Sequence, residues 1–531
     1  LEVRGAAVAW VDGRLYQWIS TQHAQGVRDQ INKSDASSNV RVMTPDVGGG
    51  FGAKISAYPE EIVLGRVAQA VGRPLRWRET RSESMLSLGH GRAQLQYVTI
   101  GGTRDGKVLA YRLEAIQDSG AFVDVGAVLA PACTRPMSSG VYAIPRIECR
   151  TKSVVTNTTP IVAYRGAGRP EATAAIERAM DMFAAEIGMD AAEVRRKNLI
   201  PRFMEPHTTA IGQAYDVGDY EVALDKVLDA SKYSELRTEQ ATRRQRGDRH
   251  QLGIGVSVYV EITSGGTNHE DARIEVLPDG RAIVYTGTSP HGQGHVTAWS
   301  MIASEHTGIP MDKIDVVWGD TDIIPDGLGT YGSRSLQLGG AAVHQTAQKL
   351  VELARSVAAS MLEAAEADVV LDTSRGAFHV AGTPAVAVTW AELATRRAAE
   401  GGLAISDRFT SGGATFPFGA HVAVVEVDTE TGKVTHLKQV ACDDAGTVLN
   451  PLLLEGQIHG GIAQGSAQAL LEEFVYDEDG NPKTGNLAEY AFISAVEAPR
   501  IEFYVNNNPA PAGSSRNNGT RVYNYLTGLD I

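Results

Sequence analysis

Cysteine is scarce: Cys133, Cys149 and Cys442 are too few and too far apart for a disulfide framework, a zinc ribbon or a cysteine-bound iron–sulfur cluster. A reducing cytoplasm is therefore the expected compartment. Positive charge is also in short supply, with 49 Lys and Arg against 63 Asp and Glu and a formal net charge of −14, which argues against nucleic-acid binding as the main function. No run approaches the roughly 18 uninterrupted apolar residues of a membrane span. The opening Leu1-Glu2-Val3-Arg4 is neither a signal peptide nor an initiator methionine, so an internal point of a longer protein is expected there. Low-complexity segments are lacking too.

What is present is an ordinary globular composition, 43% hydrophobic and 21% charged over 531 residues, enough for two to four domains. Strand patterns alternate irregularly with helical ones, which argues for an α+β chain rather than a pure doubly wound sheet. A charged run from Thr238 to His250 divides the halves. The expected organisation is a domain over residues 1–240, a solvated linker at 241–250 and a second domain over 251–531.

Glycine, at 56 residues, is in excess, and much of it falls in discrete loops. Val47 to Lys54 reads Val-Gly-Gly-Gly-Phe-Gly-Ala-Lys, between a short strand pattern (Asn39 to Met43) and a helical one (Glu60 to Val71, with Ile62, Val63, Val67 and Val71 apolar). Successive glycines allow positive φ and turn N–H groups toward one point, which suits an anion; Phe51 is expected to wall the same site. A Walker A loop is excluded because Ile55 follows Lys54 where Ser or Thr is needed. The dinucleotide fingerprint is met loosely by Gly48, Gly50 and Ala53, with Glu79 about 26 residues further on, and stays open as a nicotinamide-binding alternative.

Four further loops share this character. Ala163 to Pro170 carries Arg165 and Arg169 among small residues ahead of a helix whose apolar face is Ala174, Ile176, Met180, Phe183 and Ile187. Gly287 to His295 carries Gln293 between glycines; His291 and His295 have the spacing of a helical zinc pair, but Gly292 and Gly294 disfavour a helix between them. Thr330 to Ser335 opens onto a long amphipathic helix, and a last helix holds Gly456-Gln457 and Gln464-Gly465, with glycines that cost about 1 kcal/mol each relative to Ala.

In the stretches GGGFGAK (48–54), AYRGAGRPEA (163–172), DAAEVRRKNLIP (190–201), YDVGDY (215–220), GQGH (292–295), GSRS (332–335) and EGQIHGGIAQG (455–465), in that order, the chain resembles a known family. It is the molybdenum-binding large subunit of the xanthine oxidase, aldehyde oxidase and carbon monoxide dehydrogenase family; the last stretch, with DDAGTVLNP before it, is most similar to the bacterial carbon monoxide dehydrogenase-like branch. The resemblance implies an α+β fold of two elongated molybdenum-cofactor-binding domains. It implies molybdopterin cytosine dinucleotide with molybdenum, held by the pterin without direct side-chain ligation. Gly49, Gly50, Phe51 and Gly52 would approach the metal, and Arg165, Gly166, Ala167 and Gly168 would line the metal and substrate pocket. Gln293, Gly294, Gly332, Ser333, Arg334, Ser335 and Gln464 would contact the pterin or its dinucleotide extension.

The implied activity is oxidation of an aldehyde, aromatic or N-heterocyclic substrate with water as oxygen source. Electrons would pass to a small 2Fe-2S subunit and a medium FAD subunit, in a dimer of heterotrimers. Copper-dependent carbon monoxide oxidisers carry a cysteine in the second loop, where this chain has Arg165-Gly166-Ala167-Gly168, so carbon monoxide is not the expected substrate. Purine-hydroxylating relatives place an aromatic near Ala167 and an acidic residue after the loop lysine, where this chain has Ile55. The family's catalytic glutamate lies in a Gly-x-Gly-Glu motif near the C-terminus. No glutamate follows Glu502, and the stretch from Asn506 does not match the motif, so no catalytic base is assigned. The family's N-terminal domain is not matched either. A cofactor-holding subunit without turnover is the alternative this leaves.

Overall fold

Ala6 and Val8 alternate with outward neighbours, which makes Gly5–Val11 a half-buried strand; Asp12 and Gly13, at φ 49° and 78°, turn it back into Arg14–Ile19. These strands form a sheet with Arg41–Met43 on one side and Leu75–Arg78 on the other, covered by the helices Ala24–Ser34 and Pro59–Val71. The computed structural model describes residues 1–34, 39–264 and 269–506.

Only the Arg14–Ile19 and Arg41–Met43 pairing in this sheet is parallel. A doubly wound nucleotide-binding sheet is therefore not what carries the glycine loop. Glu79, the acidic residue of the nicotinamide alternative, is instead buried against Arg4, whose Nη2 lies 2.7 Å from its carboxylate. Helix Pro59–Val71 also turns differently from the expected face. Val63, Val67 and Val71 point to solvent while Leu64, Gly65 and Ala68 are buried, because Gly65 lets the Leu15 side chain approach where a Cβ would meet it at 2.6 Å.

A second sheet, Gln94–Gly102, Val108–Asp118 and Arg146–Val154, packs under the helix Arg169–Ile187. Ile176, Met180 and Phe183 are inward as expected, and Ala174 is outward. A third sheet orders His250–Val260, Phe418–Asp428, Val434–Asp443 and Arg500–Val505. Its inner residues, among them Val256, Val258, Phe418 and Val422, share one core with Ile176, Met180 and Val227. The largest core thus runs through both halves of the chain. A fourth sheet, Ile314–Val317, Ala282–Thr286, His269–Val276 and Leu403–Thr410, is covered by His295–Thr307 and Ala341–Met361, with Trp299, Leu350 and Ala354 at its centre.

The charged run expected as a linker is helical over Tyr233–Arg246. Arg243 bonds Glu239 one turn back and Glu426 across to the third sheet, and the buried Gln240 amide donates to the Leu252 carbonyl at 2.8 Å. Those bonds give a polar helix a packed face that its charge count did not announce. The stretch from Asn506, which does not match the Gly-x-Gly-Glu motif, lies from residue 507 onward outside the described residues.

Candidate functional site

The five loops meet around one cavity of about 600 Å³. Gly50, Phe51, Gly52, Arg165, Gly166, Ala167, Gln293, Gly332, Ser333, Ser335 and Gln464 all line it. Phe51, Ala167 and Ser333 each sit at positive φ (51°, 39° and 55°), a conformation non-glycine residues rarely adopt and one that concentrates at ligand-binding sites. Four expected residues stand behind the lining. Gly49 packs against the Phe51 ring, Gly168 begins the helix Arg169–Ile187, and Gly294 begins His295–Thr307. Arg334 is a buried strut: it pairs with Glu270 and donates to the carbonyls of Gly329 at 2.7 Å and His269 at 2.6 Å. Its charge is spent inside the protein, which is why it does not reach the cavity.

The glycine loop is held by a residue that sequence reading missed. Gln22 Oε1 accepts from the N–H groups of Gly52 at 2.9 Å and Lys54 at 3.2 Å, while its Nε2 donates to the Thr330 carbonyl at 2.9 Å. One buried amide thereby joins loops from opposite halves of the chain. Nothing in its local pattern, Ser20-Thr21-Gln22-His23, signals this role. Beneath the loop, Lys54 Nζ lies 3.0 Å from both Glu2 Oε2 and Ser20 Oγ, and Glu2 Oε2 accepts from Gly48 N–H at 2.9 Å. A Cβ at Gly52, at φ 101°, would stand 2.5 Å from the Ala163 carbonyl oxygen, so only glycine permits this approach of the first loop to the second.

Arg165 bridges the second loop to the last helix, Pro451–Leu470. Its guanidinium donates to Gln464 Oε1 at 3.0 Å and to the Gln457 side chain at 3.0 Å, and it lies 5.8 Å from the centre of the Phe51 ring. Gln457 precedes Gln464 by two helical turns, a spacing that puts both on one face and was available from the sequence. Gly456 and Gly460 share that face and line the cavity, so the helix presents backbone there. Arg169 ties the same loop to the third sheet. It pairs with Glu261 at 3.0 Å and donates to the Ala167 carbonyl at 3.0 Å.

In the third loop Gln293 turns its amide back onto His291, with Nε2 at 3.0 Å from His291 Nδ1. Burial pushes the His291 imidazole down to about 3, with the neighbouring His295 contributing, and burial alone does the same to His295. Both rings are therefore neutral near pH 7. Gly292 and Gly294 stand at φ 102° and 85° and keep the histidines off a common helix, and no cluster of three metal-ligating side chains occurs among the described residues. The zinc reading fails on both counts.

His291 Nε2, in the cavity lining, is buried without a hydrogen-bond partner in the protein. A buried acceptor or donor left unpaired is costly unless a ligand meets it. Together with the N–H-bearing glycine loops, it fits a large polar, anionic cofactor with an extended shape.

One wall was not anticipated. Val125, Leu129 and Cys133 line the cavity from a single helical segment, so a thiol does face the site, though from outside the second loop. Burial raises the Cys133 thiol above its ordinary value, which keeps it protonated.

Two family models, each described as a molybdopterin cofactor-binding domain, match residues 1–199 and 226–499. The chain is 37% identical over 535 residues to the carbon monoxide dehydrogenase large chain of Hydrogenophaga pseudoflava, covering 96% of this chain and 66% of that one. It is 35% identical over 480 residues to 6-hydroxypseudooxynicotine dehydrogenase complex subunit gamma of Paenarthrobacter nicotinovorans, covering 88% and 60%. The crystal structure of quinoline 2-oxidoreductase from Pseudomonas putida 86 superposes with a TM-score of 0.89 at 31% identity, covering 98% of this chain and 70% of that one. The chain spans about two thirds or less of the length of these two curated relatives. With both cofactor-binding domains matched and the motif loops gathered on one cavity, the chain belongs to the xanthine oxidase family, in the class of its molybdenum-binding large subunits.

Proposed function

We propose that this chain is the large subunit of a molybdenum hydroxylase that oxidises an aldehyde, aromatic or N-heterocyclic substrate with water as oxygen source. The observation that carries this reading is the convergence of loops from both halves on one cavity, with Gln22 and Arg165 joining them. Gly50, Phe51 and Gly52 would meet the metal side of molybdopterin cytosine dinucleotide. Gln293, His291, Ser333, Ser335 and Gln464 would meet its pterin and dinucleotide parts. When bound, the cofactor supplies a Lewis acid that also takes up two electrons. The chain's own residues orient it and close it off from water.

Glu261, the carboxylate in the lining, accepts from the Ile262 N–H at 2.8 Å and is paired with Arg169, so it serves the wall rather than proton transfer. Residues 1–240 and 251–531 would act as two cofactor-binding lobes. The electrons would leave to a small 2Fe-2S subunit and a medium FAD subunit, in a cytoplasmic dimer of heterotrimers. No helix among the described residues is long and apolar enough to cross a membrane.

A second reading, oxidation of carbon monoxide, is favoured by the Cys133 thiol in the lining and by the name of the Hydrogenophaga relative. The test is to purify the complex containing the full-length subunit, measure molybdenum and pterin nucleotide, and follow dye reduction with aldehydes, N-heterocycles and carbon monoxide. Stoichiometric molybdenum with aldehyde- or heterocycle-dependent reduction is expected. Full molybdenum with no turnover would favour a holding role, and absent molybdenum with bound nicotinamide nucleotide would sink the reading.

A further inference from the structure

We infer that the stripe Val125, Leu129 and Cys133 is the specificity wall of this cavity and selects an uncharged ring compound; this rests on the molybdenum reading of the same site. The three residues stand four apart on a continuous helical stretch, Gly126–Leu129 running into a wider π-helical turn at Ala130–Thr134. Spacing of four puts them on one face, and that face lines the cavity. Such widened turns recur at functional sites.

The wall is fixed in place at two points. A Cβ at Gly126 would meet the Ile161 carbonyl oxygen at 2.0 Å, so this end lies directly on the backbone that leads into the arginine loop. A Cβ at Gly168 would meet Cys133 Cβ at 2.6 Å and the Leu129 carbonyl oxygen at 3.1 Å, so the loop's far end abuts the other. The wall therefore packs directly against the arginine loop and the backbone leading into it.

The chemistry of the wall is apolar throughout. Leu129 is 2% exposed, and the buried Cys133 thiol is held protonated. The same cavity is also lined by Phe51, Ile55, Ile262 and Tyr331. A charged substituent brought against this stripe would lose its hydration to apolar side chains, since Arg169 in the same lining is already engaged by Glu261 and Arg165 by Gln457 and Gln464, whereas a flat ring would bury its faces.

The experiment uses the molybdenum-loaded complex and two readouts. Equilibrium dialysis without electron acceptor compares quinoline with quinoline-4-carboxylate, and steady-state kinetics compares benzaldehyde with acetaldehyde. Wild type is expected to bind the uncharged ring at least tenfold more tightly. Val125→Asp and Leu129→Ala are each expected to reduce that preference, and the benzaldehyde to acetaldehyde ratio of kcat/KM, about tenfold, the effect of losing one aliphatic side chain's contact with the bound ring. Val123→Asp, two residues away and outside the lining, leaves both ratios unchanged. Because Leu129 is buried and its truncation can perturb folding, the half-exposed Val125 carries the test independently. Equal binding of the carboxylate, unchanged ratios in Val125→Asp, or a preference for carbon monoxide over every ring compound would overturn the proposal. Molybdenum present with no ring preference defeats this inference alone, and molybdenum absent from wild type defeats the function itself.

Discussion

The glycine loop at 47–54 and the loop at 287–295 approach the same cavity, yet they are held by opposite chemistry. The first stands on charge: Lys54 with Glu2, Arg4 with Glu79, and the buried Glu61, whose carboxyl burial pushes up to about 7. The second stands on neutral rings, with His291 and His295 both pushed down to about 3 by burial. The glycines differ too. Gly52 and Gly292 have almost the same φ, 101° and 102°, but a Cβ at Gly52 would strike the Ala163 backbone while one at Gly292 would meet nothing within 4 Å. At Gly52 the backbone is shaped by a neighbouring loop, and at Gly292 by its own conformation alone.

The largest expected effect separates these two glycines. Gly52→Ala adds a backbone clash to the strain of positive φ and is expected to cost about 2–5 kcal/mol, with loss of molybdenum from the purified complex. Gly292→Ala pays for strain alone, about 1–2 kcal/mol, and keeps its cofactor. Thermal unfolding and metal analysis of the two variants check this. Equal losses would show that the contact with Ala163 adds nothing at Gly52.

Arg165→Lys tests the bridge between the halves. A lysine cannot span Gln457 and Gln464 as a planar fork does, and one unmatched buried amide is expected to cost about 2 kcal/mol in denaturant unfolding.

The pH dependence should run in opposite directions for the two loops. Glu61 has a folded value above its unfolded one, so its contribution is complete below about pH 4.5 and is lost as pH rises through 7. His291 and His295 have folded values below the unfolded 6.5, so their contribution is complete above that pH and is lost as pH falls toward 3. In melting temperatures measured from pH 4 to 8, Glu61→Gln should flatten the alkaline limb and His295→Gln the acid limb. The smallest effect belongs to the outward face of the helix behind the glycine loop, where Val67→Lys should change stability by less than about 0.5 kcal/mol.

Much of the site was legible because its motifs carry local physics. Glycines in tight loops, arginines beside a helix start and glutamines on a helix face declare their conformational needs within a few residues. Most of the expected residues accordingly line the cavity. Arg334 misled because an arginine in a polar loop looks the same whether it meets a ligand or a buried Glu270. The Thr238–His250 run misled for a related reason: it reads as solvated until Glu426 meets Arg243 and the Leu252 carbonyl meets Gln240. Helix Pro59–Val71 rotated by one position because Gly65 admits Leu15, a contact set by a strand far back in the chain.

By itself the sequence determined the loops, their order, the α+β alternation and the family they belong to, since each depends on backbone preferences and residue types close together in the chain. The tertiary structure alone decided that Gln22 joins Gly52 to Thr330, that Arg165 reaches Gln464, and that Val125, Leu129 and Cys133 share a wall with Ala167. Those pairings join residues that stand tens to hundreds of positions apart. Only the packing of sheets and helices into shared cores fixes such distances, and no local pattern encodes them.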